Sequence, residues 1–190
     1  MNDIVVSTAE SGGVVSLAPP SQYLTFLVSK ERLGININDV NEIIEISNMT
    51  RVPMTPSYIR GVINLRGSVV PVIDLSARLG HQSSEVGKRS CIVLVEVFSD
   101  DGVQNLGMLV DQVDEILEIP ADNIQPAPEF GANIRTEFIQ AMGRVDDDFI
   151  ILLDISRVLS VTELAQLQQV SNTPPVALKH DDTLDAQENE

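Results

Sequence analysis

Leu33-Gly34-Ile35-Asn36-Ile37-Asn38-Asp39-Val40-Asn41-Glu42-Ile43-Ile44-Glu45-Ile46 returns 73 residues later as Leu106-Gly107-Met108-Leu109-Val110-Asp111-Gln112-Val113-Asp114-Glu115-Ile116-Leu117-Glu118-Ile119. Further along, the offset becomes 80. Tyr58-Ile59 answers to Phe138-Ile139, and Ile73-Asp74-Leu75-Ser76 to Leu153-Asp154-Ile155-Ser156. A seven-residue insertion in the second connection accounts for the change. Pattern and spacing recur together, so the chain is read as an internal duplication. The first copy spans about 30–80 and the second about 103–160. Where the first has Asn64-Leu65-Arg66-Gly67-Ser68, the second has Arg144-Val145-Asp146-Asp147-Asp148. The scaffold is shared and the decoration differs.

Most segments around these stretches have strand chemistry. Tyr23–Val28 is aromatic and β-branched. Gly61–Leu65 and Val69–Ile73 flank Arg66-Gly67-Ser68, a short turn of hairpin type. Cys91–Val95 and Leu106–Val110 flank a second turn signal at Ser99-Asp100-Asp101-Gly102. Short apolar runs divided by turn residues predict a mostly β architecture. Each copy is small enough to be marginal alone, so the two are expected to lean on each other. Helical signals are fewer. Asp39–Ile44 and Gln112–Leu117 are read as one or two helical turns each. Leu75–Leu79 and Ile155–Leu159 are read as matching single turns that close the copies. Ser160 and Glu163 make a capping-box pattern ahead of a helix over 161–170. Pro71 lies inside a strand and cannot donate, which predicts an edge or a bulge. Residues 1–21 read as a flexible leader without a signal peptide, and 171–190 as a flexible acidic tail.

The net charge of −16 is uneven: residues 22–89 carry +2 and residues 90–159 carry −11. The acidic half repels phosphate, which argues against a nucleic-acid partner, and attracts a basic protein face. No apolar run reaches the length of a membrane span, so direct membrane insertion is not expected. The lone Cys91 excludes a disulfide framework and a four-thiolate metal site. Cys91 opens a strand with no charge relay nearby, His81 lies in a polar connection and His180 in the acidic tail. Gly80 and Gly87-Lys88 are spaced too widely for a phosphate loop, and Arg89 stands where Ser or Thr belongs. This stretch is read as a flexible connector. Asp146-Asp147-Asp148 lacks calcium-loop spacing. No catalytic, cofactor-binding or metal-binding residue is therefore assigned. The residues leave a protein-interaction module, or a small-ligand-binding β-barrel.

Pro53-Met54-Thr55-Pro56, followed by Tyr58 through Leu75 across the Arg66 turn, resembles the signature of the CheW family of chemotaxis coupling proteins. Gly107–Val113 resembles its second signature, and Pro126-Ala127-Pro128-Glu129-Phe130 is a third match. The resemblance covers about residues 22–170. It implies two five-stranded SH3-like β-barrel subdomains side by side, with strands exchanged or added at their edges and a C-terminal helix. It also implies a non-enzymatic cytoplasmic adaptor held at membrane-bound receptor arrays through protein contacts. The implied partners are the regulatory domain of a CheA-type histidine kinase and the cytoplasmic tips of methyl-accepting chemoreceptors. A pilus-motility or other non-flagellar system is an alternative setting.

By position, the resemblance places partner binding at Val40, Glu42, Gly61 and Arg66, and in the second half at Gly107 and Val113. Asn64, Leu65 and Gly67 flank Arg66 and join that surface. Residue chemistry leaves alternatives open. Arg66 offers a fixed fork of donors, or is an ordinary turn residue. Gly61 and Gly107 allow a partner's backbone to approach, or mark a bulge. Val40 is core or interface. Glu42 has a counterpart in Glu115, which favours a structural role for one of the pair.

Overall fold

The computed structural model describes residues 20–99, 102–128 and 136–159. The expected helix over 161–170, nearly all of the leader and the acidic tail lie outside these residues. The first copy contributes β1 (Ser21–Val28), β2 (Glu31–Asn36), β3 (Val40–Glu45), β4 (Ile59–Leu65) and β5 (Ser68–Asp74), then the single-turn helix α1 (Leu75–Arg78). The second contributes β6 (Cys91–Ser99), β7 (Gly102–Val110), β8 (Gln112–Ile119), the two-residue β9 (Ile124–Gln125), β10 (Ile139–Val145), β11 (Asp148–Leu153) and α2 (Ile155–Val158).

The strands form two sheets, and neither belongs to one copy. One sheet has the order β8-β1-β2-β11-β10-β9 and the other β3-β6-β7-β5-β4. The hairpin β1–β2 thus lies among strands of the second copy, and β6–β7 among those of the first. The junctions are parallel and equivalent by the repeat: Val72 is in register with Gly107, and Leu152 with Gly34. The fold is mostly β, as expected. The anticipated five-stranded barrels are one six-stranded and one five-stranded sheet whose pairings do not close into rings.

Both faces of the inner strands are buried. Along β6, Val93, Val95 and Val97 enter the main core, which also holds Leu24, Phe26 and Val28 of β1. Ile92 and Leu94 point the other way, into a smaller cluster with Ile63, Val70, Val72 and Leu109. Tyr23, Ile119, Ala141, Ile150 and Leu152 form its equivalent in the other sheet. Each sheet therefore has a small core of its own and shares the large one. This doubled burial explains the nearly continuous apolar runs in the sequence.

Two stretches read as helical turns are strands. Val40–Glu45 pairs with β6 and Gln112–Ile119 with β1. A 3-10 turn at Ile37–Asp39 precedes the first. Apolar Val40, Ile43 and Ile44 mimic a helical spacing, but the burial alternates with period two, leaving Ile43 and Ile116 about half exposed. Pro71 is on neither an outer strand nor at its own bulge. β5 is interior, and Pro71 faces Val62 of β4 while the register with β7 starts only at Val72. Counting from the turn-closing pair Leu65–Ser68, Val62–Pro71 falls at a non-hydrogen-bonded position, so the missing N–H removes no rung to β4. The connector read as flexible is packed: Ser84 is buried and its backbone is held on both sides.

The two halves are stitched at their equivalent ends. Arg78 is buried, and its Nε donates to the carbonyl of Val158 at 2.7 Å. Val158 is the repeat counterpart of Arg78. The guanidinium also stacks on Tyr58 and on its counterpart Phe138, 4.7 and 5.1 Å from the ring centroids.

Candidate functional site

The β4–β5 hairpin turns on two residues. Arg66 has φ of 53° and Gly67 of 88°, the paired positive φ that the tight right-twisting hairpin turn requires. Asn64 Oδ1 accepts from the backbone N–H of Gly67 at 2.9 Å and braces the turn. The arginine is thereby carried on a braced turn of defined backbone geometry.

From this tip Arg66 reaches to β3. Its Nη2 lies 3.0 Å from both carboxylate oxygens of Glu42. The arginine side chain is 77% exposed and the glutamate 34%. The remaining guanidinium donors face solvent, so the ion pair orients the cation while leaving most of it accessible. The result is a positioned donor array on an exposed surface, suited to carboxylates or carbonyls of a partner.

The second half does not reproduce this arrangement. Asp146, the counterpart of Arg66, also has φ of 53°. With three consecutive aspartates the tip has the opposite sign. Glu115, the counterpart of Glu42, takes Arg32 Nη2 from β2 at 2.8 Å. Its backbone N–H and carbonyl are bound by the hydroxyl of buried Thr25. The recurring glutamate thus has an arginine partner in both halves, but only in the first does that arginine come from a hairpin tip.

The other residues singled out from sequence divide clearly. Leu65 and Val40 are half-buried at the margins of the small and the main core. Val40 is in register with Val95, and Val113 with Phe26, at equivalent sites in the two halves. Gly61 has φ of 150°, and a Cβ there would lie 2.4 Å from the carbonyl oxygen of Thr50. Thr50 forms a two-way backbone bridge with Val62, with N–O distances of 2.9 and 2.8 Å. The close approach at Gly61 is therefore made by the chain itself, at a β-bulge. Gly107 is also accounted for internally, since a Cβ would lie 2.8 Å from the Ile92 side chain. Glu42, Asn64, Leu65, Arg66 and Gly67 are brought together; Gly107 and Val113 belong to the packing of β7 and β8.

Sequence reading missed Arg60. Its Nη1 pairs with the fully buried Asp74 at 3.3 Å, and its Nη2 donates to the Ser84 carbonyl at 3.0 Å. The available signal was the recurrence of Asp74-Leu75-Ser76 as Asp154-Ile155-Ser156, with Gln140 where Arg60 stands. Cys91 and His81 carry no catalytic geometry. Burial pushes the Cys91 thiol up, against a smaller lowering by the Val113 backbone, so the nucleophilic thiolate is disfavoured. His81 Nε2 lies 3.8 Å from Glu31 on the surface. Among the described residues no three His, Cys, Asp or Glu side chains gather as metal ligands, and no helix is long and apolar enough to cross a membrane.

A family model described as CheW-like domain matches residues 22–163. The chain is 34% identical to the chemotaxis protein CheW of Klebsiella aerogenes over 152 residues, covering 80% of this chain and 89% of that protein. It is 31% identical over 145 residues to protein FrzA of Myxococcus xanthus, covering 74% and 86% of the two chains. The crystal structure of the scaffolding protein TtCheW from Thermoanaerobacter tengcongensis superposes with a TM-score of 0.68 at 34% identity, covering 76% of this chain and 95% of that one. By sequence and by architecture, the chain belongs to the CheW-like family.

Proposed function

We propose that this chain is a non-enzymatic adaptor that couples transmembrane chemoreceptors to the regulatory domain of a CheA-type histidine kinase. The observation that carries the reading is the exposed Arg66 held over Glu42 at a braced hairpin tip, present in one half of a duplicated scaffold and sign-reversed in the other. A duplicated protein that differs at equivalent tips can offer two unlike surfaces and so join two unlike partners. Val40, Glu42, Asn64, Leu65 and Arg66 form the proposed partner surface on the first half. Gly61 and Gly67 act in it through the backbone shape they allow; Gly107 and Val113, which belong to the packing of β7 and β8, act on partner binding only through the scaffold.

The test is reconstitution. Receptor cytoplasmic domains on vesicles, the kinase and this chain are combined, and kinase autophosphorylation is followed. The adaptor reading expects strong stimulation only when all three are present. Equal kinase activity with and without the chain, at concentrations saturating for any binding, would remove the reading.

A further inference from the structure

Strands β4 and β5 slip by one residue at the foot of their hairpin. Ile59 pairs with Ile73 and Gly61 with Val72, which leaves Arg60 as the extra residue of a β-bulge. β10 and β11 repeat the slip between Ile139 and Ala141, with Gln140 as the extra residue. A bulge sets the direction in which a hairpin leaves its sheet and re-aims the side chain it carries. Gln140 is neutral, whereas Arg60 sends a guanidinium across the foot. Its Nη1 lies 3.3 Å from Oδ2 of Asp74, at the end of β5, and its Nη2 donates to the Ser84 carbonyl at 3.0 Å. Asp74 Oδ2 accepts from the Ser84 backbone N–H at 2.8 Å, which closes the three residues into a ring. In the second half, Asp154 takes an arginine from its own one-turn helix, with Arg157 Nε at 3.3 Å.

This ring is tied to the body of the protein. The Gln82 carbonyl accepts from the Ser76 hydroxyl at 2.6 Å, Ser76 meets the Ser29 hydroxyl at 2.6 Å, and the Ser29 N–H donates to Asp111 Oδ2 at 2.7 Å. Ser29 and Asp111 lie in the turns that follow β1 and β7. The hairpin beyond its foot has less to hold it. β5 is in register with β7 over Val72–Asp74 alone. Closer to the tip, among the described residues, the paired strands have each other and the Thr50 bridge at Val62. Ile63 and Val70 pack into the small core below. The run from Arg60 to Arg66 spans about 20 Å, at about 3.3 Å per residue. Over that length a tilt of about 10° at the foot carries the tip by about 3 Å, more than a hydrogen bond tolerates. The 3.0 Å contacts of Arg66 with Glu42 therefore depend on how the foot is held.

We infer that Arg60 is a positioning residue of the first hairpin: by locking the bulge to Asp74 and to the segment 82–84, it fixes where Arg66 is presented to a partner. The inference rests on the partner surface proposed above and names the group that holds that surface in place. The Arg60 side chain is 27% exposed against 77% for Arg66, and two of its donors are spent on Asp74 and Ser84. It acts through the hairpin and not by touching the partner.

The test uses the full-length chain, isotopically labelled. Arg60→Gln gives the first bulge the residue of the second. Amide residual dipolar couplings are measured over residues 62–69 and, as an internal control, over 142–149. In the parent chain both hairpins should fit one alignment with the sheets. In Arg60→Gln the couplings of 62–69 should depart from it and those of 142–149 should not. Dissociation constants are then measured for a CheA-type kinase regulatory domain and a receptor cytoplasmic fragment. Arg60→Gln should weaken, by about tenfold, whichever partner Arg66→Ala also weakens. In the Arg66→Ala background the same change should add nothing, because its effect passes through that side chain. Leu152→Ala, which opens a cavity in the small core of the other sheet, lowers stability without touching the foot and should leave both constants unchanged. Arg60→Lys keeps a counter-ion for the buried Asp74 and carries the test if Arg60→Gln does not fold, with a displacement at 62–69 of the same kind. Unchanged couplings at 62–69, losses that add to those of Arg66→Ala, or an equal loss from Leu152→Ala would each overturn the inference. Normal binding of both partners by Arg66→Ala would instead remove the proposed partner surface, and the couplings alone would then decide the positioning claim.

Discussion

Arg66 and Glu42, 24 residues apart, meet with Nη2 at 3.0 Å from each carboxylate oxygen, joining the tip of the β4–β5 hairpin to β3, the outer strand at the opposite end of the sheet order. The cation is mostly in water, so the pair orients a side chain more than it stabilises a fold. A double-mutant cycle with Arg66→Ala and Glu42→Ala, read by urea denaturation, should give a coupling free energy of no more than about 1 kcal/mol. A coupling above about 2 kcal/mol would assign the pair to the fold.

Gly61 and Gly67 lie in one hairpin and make opposite demands. Gly61→Ala forces a Cβ to 2.4 Å from a backbone oxygen at φ of 150°, where relief requires the Thr50 bridge to open. It should cost more than about 2 kcal/mol. Gly67→Ala meets no atom within 4 Å and suffers only its φ of 88°, for about 1 kcal/mol. Chemical denaturation of both variants checks the order, and a reversal would contradict the assignment of Gly61 to internal packing.

Arg78 holds the two copies together through Val158, Tyr58 and Phe138. Arg78→Ala removes the stacking and leaves a buried carbonyl without this donor, and should cost about 3 kcal/mol. Arg78→Lys should recover only part of this, because an ammonium cannot fill the planar stack. Thermal or chemical unfolding of the two variants is the check, and full recovery by lysine would show that charge alone matters at this position.

Asp39 sets a pH dependence whose sign follows from its raised carboxyl. A folded-state value above the unfolded one means that ionised Asp39 opposes folding at neutral pH. That penalty fades as the pH falls through the folded value and is gone below the ordinary carboxylate range. Asp39→Asn should therefore raise the melting temperature near pH 7, and the gain should shrink toward pH 4. A gain that grows on acidification would reverse the argument.

Much of the fold was legible because duplication writes each structural demand twice. Asp74 and Asp154 recur because each caps a one-turn helix, accepting from Ala77 N and Arg157 N. The hairpin at Arg66-Gly67 was legible from turn chemistry. The exchange of β1–β2 and β6–β7 between the halves was not, because strand partners far apart in the chain leave no local periodicity. Val40–Glu45 was misread for a related reason. Its outward Ile43 breaks the polar alternation of an outer strand and imitates a helical stripe. At the candidate site, Arg66 and Glu42 were each singled out from sequence, but their contact depends on where β3 lies in the sheet. Arg60 escaped notice because its own strand carries no sign of a buried aspartate partner, and the recurrence of Asp74-Leu75-Ser76 points to it only once Gln140 is set against Arg60.

The most direct measurement compares two charge reversals at equivalent tips. Dissociation constants for the kinase regulatory domain and for a receptor cytoplasmic fragment are determined for Arg66→Glu and for Asp146→Lys, alongside melting curves. Arg66→Glu should weaken binding to at least one partner by about 1–3 kcal/mol, because a charged donor at the contact becomes a repelled acceptor. Its melting temperature should stay close to that of the parent chain, and Asp146→Lys should change the same constant much less. Unchanged affinity of Arg66→Glu for both partners, or its unfolding, would contradict the assignment of the first hairpin as the recognition element.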